Sequence, residues 1–330
     1  MAKTIDEQRL LDILSILKDS GEPLGATIIA RRLEGLGHDI GERMARNYLQ
    51  ILDEKGFTKK VKRRGRVITE EGIAELKAEK IHERVGFIKS VIQDLSYQVT
   101  YNHLTRDGDI IVNISLIEAG KLEKALSTLR RMYESGWMIS PLIKVFSEGE
   151  EVYGVVIPKG KAAICTVCSI TIDGILVSMG IPTDPIYGGV VEVRNNKPER
   201  FVEIIRFDGS SLDPLELFMA KGMTNVLRVA EDGRGWILAN YREIPASSRK
   251  DAMEVLDRIS TLFKGIMMIG EPGEKVLGLL PSARRCGIAV IGGLTPIAAV
   301  EEAGIATETK AIHGLMPIKT MKHIEDFSVP

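Results

Sequence analysis

Cysteine is scarce in this sequence, three in 330 residues, and an odd, sparse set argues against a disulfide framework and for a reducing compartment. A long uncharged apolar run is missing too. The opening MAKTIDEQRLLDILSIL carries Lys3, Asp6, Glu7 and Arg9, so it is neither a signal peptide nor a transmembrane helix, and a cytoplasmic protein without a membrane partner is expected. The histidines His38, His82, His103, His313 and His323 are scattered, there is no Ser/His/Asp order, and GEPGEK lacks the spacing of a phosphate-cradling loop. Nothing specific speaks for an enzyme, a metal or a cofactor. Cys165 and Cys168 form a CxxC with no second pair and no nearby histidine. On a strand they would point to opposite faces, the wrong geometry for one metal, and a redox pair wants a helix start at the first cysteine. A thiol lining a pocket fits better.

What is present is ordinary core-forming material, with 44% hydrophobic residues in a length suited to about two domains. Charge divides them. Residues 1–69 hold 14 Lys+Arg against 10 Asp+Glu, whereas residues 70–330 hold the other 30 against 35. Within KGFTKKVKRRGR, residues 55–66, seven basic residues stand without an acid, a field that attracts a polyanion.

Leu10, Ile13, Leu14 and Leu17 mark a first amphipathic helix ended by Gly21 and Pro23, and Ile28, Ile29, Leu33 and Leu36 a second. In IGERMARNYLQILDEKG, Met44, Ala45, Leu49 and Leu52 form an inner stripe, and Arg43, Arg46, Asn47 and Gln50 recur at i, i+3, i+4 and i+7 opposite. FTKKVKRRGRVITEEG reads as two short strands around a basic turn, with Thr69 and the following acids opening another helix. Three helices and a basic hairpin resemble a winged helix-turn-helix, whose third helix enters the major groove and whose wing touches phosphates. Arg43, Arg46, Asn47 and Gln50 are the side-chain types that read base edges, and Lys62, Arg63, Arg64 and Arg66 are the candidate phosphate contacts. The alternative is a solvated basic face on a module that binds another protein.

From residue 71 to about 98 the positions Ala74, Ala78, Ile81, Val85, Ile88, Ile92 and Leu95 alternate spacings of four and three. That is a heptad seam along one connecting helix, able to pair with its twin in a dimer or to pack on its own C-terminal domain.

Residues 99–330 switch to β-rich runs alternating with helices, and they repeat. Asp107-Gly108, Asn113, Ala125, Leu129, Gly149-Glu150, Thr171, Gly180-Ile181, Thr183 and Gly189 are matched by Asp232-Gly233, Asn240, Ala252, Leu256, Gly273-Glu274, Thr295, Gly304-Ile305, Thr307 and Gly314, at an offset of 124 to 127. Two copies of one α/β unit, about 107–189 and 232–314, are therefore expected as pseudo-symmetric subdomains with a cleft between or beside them. In AVIGGLTPIAAVEEAGI a strand meets Gly292-Gly293, with Thr295 placed to cap and Pro296 to open a helix. Its counterpart has Thr171 at the cap and Asp173 in the first turn. Free N–H groups at such helix starts suit an anion, although Asp173 would repel one.

IPKGKAAICTVCSITIDGILVSMGIPTDPIYGGVVEV followed by IIRFDGSSLDPLELFMAKGMTNV closely resembles the archaeal nitrogen regulatory repressor (NrpR) family, and the winged-helix segment ahead of it fits as well. The resemblance implies an α/β (α+β) effector domain of two pseudo-symmetric copies behind a small winged helix-turn-helix domain at residues 1–70. It also implies a homodimer that represses nitrogen-assimilation genes at inverted-repeat DNA operators and is released by 2-oxoglutarate, with a second repressor protein as a further partner in some members. A dicarboxylate needs N–H donors and a cation, offered by the helix starts at Thr171 and Thr295 and by Arg206, Arg284 or Arg285. Cys165, Ser169, Thr183, Asp184 and Tyr187 lie in the most characteristic motif and are the candidate cleft residues. A metabolite-converting enzyme with an appended winged helix, and an adaptor that touches DNA weakly, are the competing readings.

Overall fold

A computed structural model describes residues 5–35, 38, 40–62, 64–83, 86–153 and 155–327. It divides into two units, Met1–Val85 and Gly86–Pro330.

The first unit carries α1 (Ile5–Ser20), α2 (Ala26–Gly35), α3 (Glu42–Glu54), a hairpin of β1 (Thr58–Val61) and β2 (Gly65–Ile68), and α4 (Glu70–Glu83). Ile13, Leu14 and Leu17 of α1, Ile29 and Leu33 of α2, Leu49 and Leu52 of α3 and Leu76 of α4 form one buried cluster. On α3 the buried set is Ala45, Tyr48, Leu49 and Leu52, spaced i, i+3, i+4, i+7. Met44, expected inside, is 45% exposed, because it stands a full 100° step to the side of that stripe. The wing is tied to the start of α2: Leu24 and Arg66 exchange both backbone N–H···O bonds at 3.0 Å. Gly65 lies at φ 121, and a Cβ there would press on the Leu24 carbonyl, so the crossing requires glycine. Thr69 caps α4 by accepting from the Gly72 N–H at 3.0 Å.

The single heptad helix expected over 71–98 does not form. α4 stops at Glu83, and α5 (Phe87–Gln98) starts afresh behind Gly86, whose φ of 78 is left-handed. Ile88 and Ile92 of α5 are buried in the core of the second unit, α5 packs on the helix α7 described below, and Ala74 is exposed. The α5 half of the seam is thus spent inside its own unit, the second of the two uses weighed for it; the side chains of Ala78, Ile81 and Val85 lie outside the described residues.

After α5 the second unit runs β3 (Asp109–Glu118), α6 (Leu122–Glu134), β4 (Leu142–Phe146), the hairpin β5 (Glu151–Val152) and β6 (Val155–Val156), β7 (Lys161–Val167), α7 (Ile170–Ser178) and β8 (Asp184–Arg194). Then come β9 (Lys197–Arg206), α8 (Pro214–Ala220) and α9 (Val226–Asp232). The first order then runs again as β10 (Gly235–Pro245), α10 (Arg249–Ile259), β11 (Ile266–Ile269), a small Val276–Leu279 bridge, β12 (Arg285–Ile291), α11 (Thr295–Glu302) and β13 (Glu308–Pro317), before β14 (Lys322–His323).

The strands make two five-stranded antiparallel sheets, ordered β13-β3-β7-β4-β14 and β11-β12-β10-β8-β9. Each copy's last strand therefore leaves its own sheet and pairs with the first strand of the other: β8 lies on β10 and β13 lies on β3. Helix α6 of the first copy packs on α11 of the second. The two expected pseudo-symmetric copies are present and are interleaved, so that the apolar clusters draw residues from both. Burial of both faces explains why β3, β7, β10 and β12 read as near-continuous apolar runs.

Candidate functional site

In the first unit α3 turns Arg43, Arg46, Asn47 and Gln50 outward, all exposed. Arg43 and Asn47 make no side-chain hydrogen bond or ion pair among the described residues. Arg46 reaches back to Glu42, whose carboxyl is held below its usual range by that contact first and by the Thr27 hydroxyl second. Gln50 donates to Glu54 at 3.1 Å. Such exposed i,i+4 contacts are weak and can be exchanged for a ligand. On the wing Lys62 and Arg64 are exposed, and Arg63 lies outside the described residues. Arg66 differs from expectation: its Nε donates at 2.7 Å to Asp53, which also accepts from Thr58 at 2.6 Å, so it fixes the wing to α3.

In the second unit the two copies meet at a buried polar centre. Thr171 bonds both backbone groups of Ile111 at 3.0 Å, and Thr295 donates to the Leu238 carbonyl at 3.0 Å. These hydroxyls fasten helix to strand; the positions before the helices are Ser169 and Leu294, and neither makes a side-chain cap bond. The capping role expected of Thr171 and Thr295 is thus replaced by a tie to β3 and β10. Ser169 is fully buried, and its Oγ accepts from Asn240 Nδ2 at 2.6 Å. Gly293 occupies the equivalent place in the second copy, where a Cβ would meet the Ser169 N–H and the Asn113 amide within 2.9 Å.

Beside this contact Arg242 of β10 stands 2.9 Å from Asp173 of α7, each side chain 1% exposed. Arg242 Nη1 also approaches the Ser169 carbonyl at 3.4 Å, while its Nε and Nη2 find no hydrogen-bond partner among the described residues. Burial pushes the Asp173 carboxyl up, and Arg242 opposes that. Asp213, buried as the cap of α8, accepts from Leu215 and Glu216 N–H at 2.7 and 3.3 Å and is pushed up to about 7 by burial and then by Glu216.

A cavity of about 240 Å³ opens where β13 lies on β3, walled by Ile114, Leu116, Val152 and Ile157 and carrying Glu308, Thr309, Lys310 and His313; the Glu308 carboxylate pairs outward with Lys161 at 3.3 Å. Here β13 leaves register between Lys310 and Gly314, and Ile312 takes φ 50, a strained conformation for a β-branched residue. Two acceptors hold the bulge: Ile312 N–H donates to the buried Asn113 Oδ1 at 3.1 Å and Ala311 N–H to the half-buried Glu216 carboxylate. Tyr153 stacks edge-on against His313 with centroids 5.0 Å apart, and it fits over Gly314, where a Cβ would touch its ring. Burial first, then Lys310, keeps His313 below the usual imidazole value. The Lys310 ammonium has no ion pair among the described residues.

The predicted ligand residues do not gather in one place. Cys165 is fully buried among apolar side chains, and burial pushes its thiol up to about 12, so it offers little to a polar ligand. Cys168 is likewise buried and likewise raised to about 12, an inert thiol. Ser169, Thr171 and Thr295 lie in the centre. Thr183 is half-buried. Asp184 pairs with Lys89 at 2.7 Å, and Arg206 pairs with Asp208 at 2.7 Å while lying over the Tyr187 ring at 5.5 Å. Arg284 is exposed and Arg285 half-buried. Thr183 and Asp184 have Thr307 and Glu308 as counterparts, and those open the strand that lines the cavity.

Sequence reasoning missed Arg242, Asn113 and Lys310. Arg242 was detectable: by strand alternation it shares a face with Leu238, Asn240 and Ile244, and an arginine in an inward register demands a partner. Lys310 depends on the bulge, which local pattern does not announce. Among the described residues no group of three or more His, Cys, Asp or Glu could hold a metal ion, and no helix is long and apolar enough to cross a membrane.

Comparison with known proteins covers both units. The family described as NrpR regulatory domains NRD1 and 2 matches residues 85–323, and the ribonuclease R winged-helix domain matches residues 11–76. The global nitrogen regulator NrpRI of Methanosarcina mazei is 39% identical over 319 residues, 96% of this chain and 98% of that protein. The global nitrogen regulator NrpR of Methanococcus maripaludis is 34% identical over 94% of this chain, which spans about half of that relative, 54%. A crystal structure of a nitrogen repressor-like protein from Methanococcus jannaschii superposes with a TM-score of 0.61 at 31% identity, covering 71% of this chain and 97% of that one.

Proposed function

The chain belongs to the NrpR family of archaeal nitrogen regulators, and from that premise we propose that it represses nitrogen-assimilation genes as a homodimer on inverted-repeat operators and is released by 2-oxoglutarate. It is a transcriptional regulator with a winged helix, and its partner is double-stranded DNA. The observation that carries this reading is the division of α3: Ala45, Tyr48, Leu49 and Leu52 are buried while Arg43, Arg46, Asn47 and Gln50 face solvent beside a basic wing. With α5 committed to its own unit, the case for a dimer rests on the small contact area one winged helix offers, and two copies reading half-sites supply the rest. Relatives about twice this length leave room for a second repressor protein as an additional partner.

Fluorescence anisotropy on operator duplexes tests it. Binding should fall steeply between about 50 and 200 mM salt. Lys62→Ala and Arg64→Ala should weaken all sequences alike and flatten the salt slope, whereas Asn47→Ala should cost about 1–3 kcal/mol of discrimination at one base pair. Binding insensitive to salt would favour the adaptor.

For the effector, support comes from the cavity at the β13 bulge, where a short carboxylic acid finds the Lys310 ammonium, the His313 imidazole, a hydroxyl and apolar walls, with the one wall carboxylate, Glu308, neutralised by Lys161. One 2-oxoglutarate carboxylate meets Lys310, and its apolar stem lies along Ile114 and Leu116. Calorimetry separates the location from the ligand. Lys310→Ala should weaken 2-oxoglutarate binding at least tenfold and Arg206→Ala little; the opposite pattern moves the site to the Tyr187 side. Incubated 2-oxoglutarate should come back unchanged, which an enzyme would not allow.

A further inference from the structure

Away from the cavity and the polar centre, the end of β8, its hairpin to β9 and the starts of α9 and β10 enclose a second pocket of about 380 Å³. Three guanidinium groups line it, from Arg194, Arg228 and Arg234, against the single carboxylate of Glu192. That carboxylate is already divided, between Arg194 at 2.6 Å and Arg200 at 3.0 Å. Arg228 has its nearest acid, Asp232, 3.8 Å away, outside hydrogen-bond range, and Arg234 reaches the neutral amide oxygen of Asn195 at 3.3 Å. Two arginines therefore keep donors and charge to spare, within a part of the chain that is acidic on balance.

The wall beside them is Trp236, 43% exposed, a large apolar surface left open to solvent next to three cations. The frame is rigid. Asn195 and Asn196, at φ 52 and 59, make a tight two-residue hairpin turn. Asn196 N–H donates to the Gly233 carbonyl at 3.0 Å, and Gly233 packs so closely on the Asn196 amide that a Cβ would overlap it. Asn225 Oδ1 accepts from the Trp236 N–H, fixing the strand that presents the indole. A concave, preformed site of this volume is in the range that takes small molecules.

We propose that this pocket binds a nucleoside phosphate, independently of the 2-oxoglutarate site. Guanidinium forks match the paired oxygens of a phosphate, and a base ring stacks on the indole or between indole and guanidinium. A simple dicarboxylate would leave the indole uncovered, and a free phosphate would leave it unused.

The full chain contains two tryptophans, and Trp137 is 6% exposed, so quenching of tryptophan emission reports mainly on Trp236. The protein is titrated with ATP, AMP, inorganic pyrophosphate and a short single-stranded oligothymidylate, with calorimetry alongside. ATP or AMP should quench saturably, the Arg228→Ala/Arg234→Ala pair should raise the apparent Kd at least tenfold, and Trp236→Leu should weaken ATP more than pyrophosphate. These side chains are largely exposed, and an unchanged melting temperature with unchanged 2-oxoglutarate binding shows that the variants are folded. Absence of saturable binding, pyrophosphate binding as tight as ATP, oligothymidylate binding tighter than either nucleotide, or quenching that survives the double arginine variant overturns the proposal.

Discussion

The two copies within residues 99–330 share a frame and differ at their meeting point. Thr171 and Thr295 tie equivalent helices to equivalent strands, and Asn113 and Asn240 occupy equivalent strand positions. At the centre the symmetry fails: Ser169 faces Gly293, Asp173 stands where the second copy has Ile297, and Arg242 where the first has Ser115. What repeats maintains the fold of each copy; what differs tells one copy from the other. A buried charge pair assembled from one residue of each copy specifies how they dock, because a wrong pairing would strand a charge in apolar surroundings.

The sharpest way to break this comparison is to remove one charge. Arg242→Met should cost about 3–5 kcal/mol by leaving Asp173 without its partner, and the double variant Arg242→Met/Asp173→Leu should recover most of it; denaturant melts of the four proteins give the coupling. A double variant as unstable as the single one would deny the pair its specifying role. Second in size, the shared frame predicts parallel losses for Thr171→Val and Thr295→Val, about 1–3 kcal/mol each. The first should lose more, since its hydroxyl serves both backbone groups of Ile111.

A pH-dependent effect follows from Asp213, which lies between the two copies at the start of α8. Its folded carboxyl, at about 7, keeps its proton where the unfolded chain, near pH 4, has lost it. The folded state then binds more protons, so this group's contribution to stability falls as pH rises from about 4 to 7. Asp213→Asn should flatten that part of the stability profile while keeping an acceptor for the start of α8; a slope equal to that of the natural chain counts against it. Smallest is Arg66→Ala, which should lower the unfolding free energy of the first unit by about 1 kcal/mol through loss of the Asp53 contact and leave operator discrimination alone.

Local pattern carried much of this architecture. Helical spacing in the first 54 residues, the basic turn before Gly65 and the offset between the copies all correspond to elements seen in the structure. Met44 falls outside the buried stripe of α3 because Tyr48, with Ala45, Leu49 and Leu52, completes a better one than the four aliphatic positions do. The seam over 71–98 breaks for a related reason: a spacing of three and four describes any one-sided helix, and Gly86, at φ 78, divides it. Strand exchange had no local trace, since β8 and β13 alternate identically whichever sheet receives them. The candidate site suffered most. Ser169, Thr171 and Thr295 were found by motif, but their hydroxyls are satisfied internally, whereas Lys310 and His313 acquire meaning through a bulge held by Asn113 and Glu216, residues remote in the chain.

Because β8 completes the sheet begun by β10, and β13 the sheet begun by β3, neither half is a finished object. A nick in the turn after Gly222 would yield two polypeptides, each with a raw sheet edge and a homeless strand. They should be insoluble when expressed apart and should reconstitute when expressed together, like a lock whose bolt and socket are cast on opposite pieces.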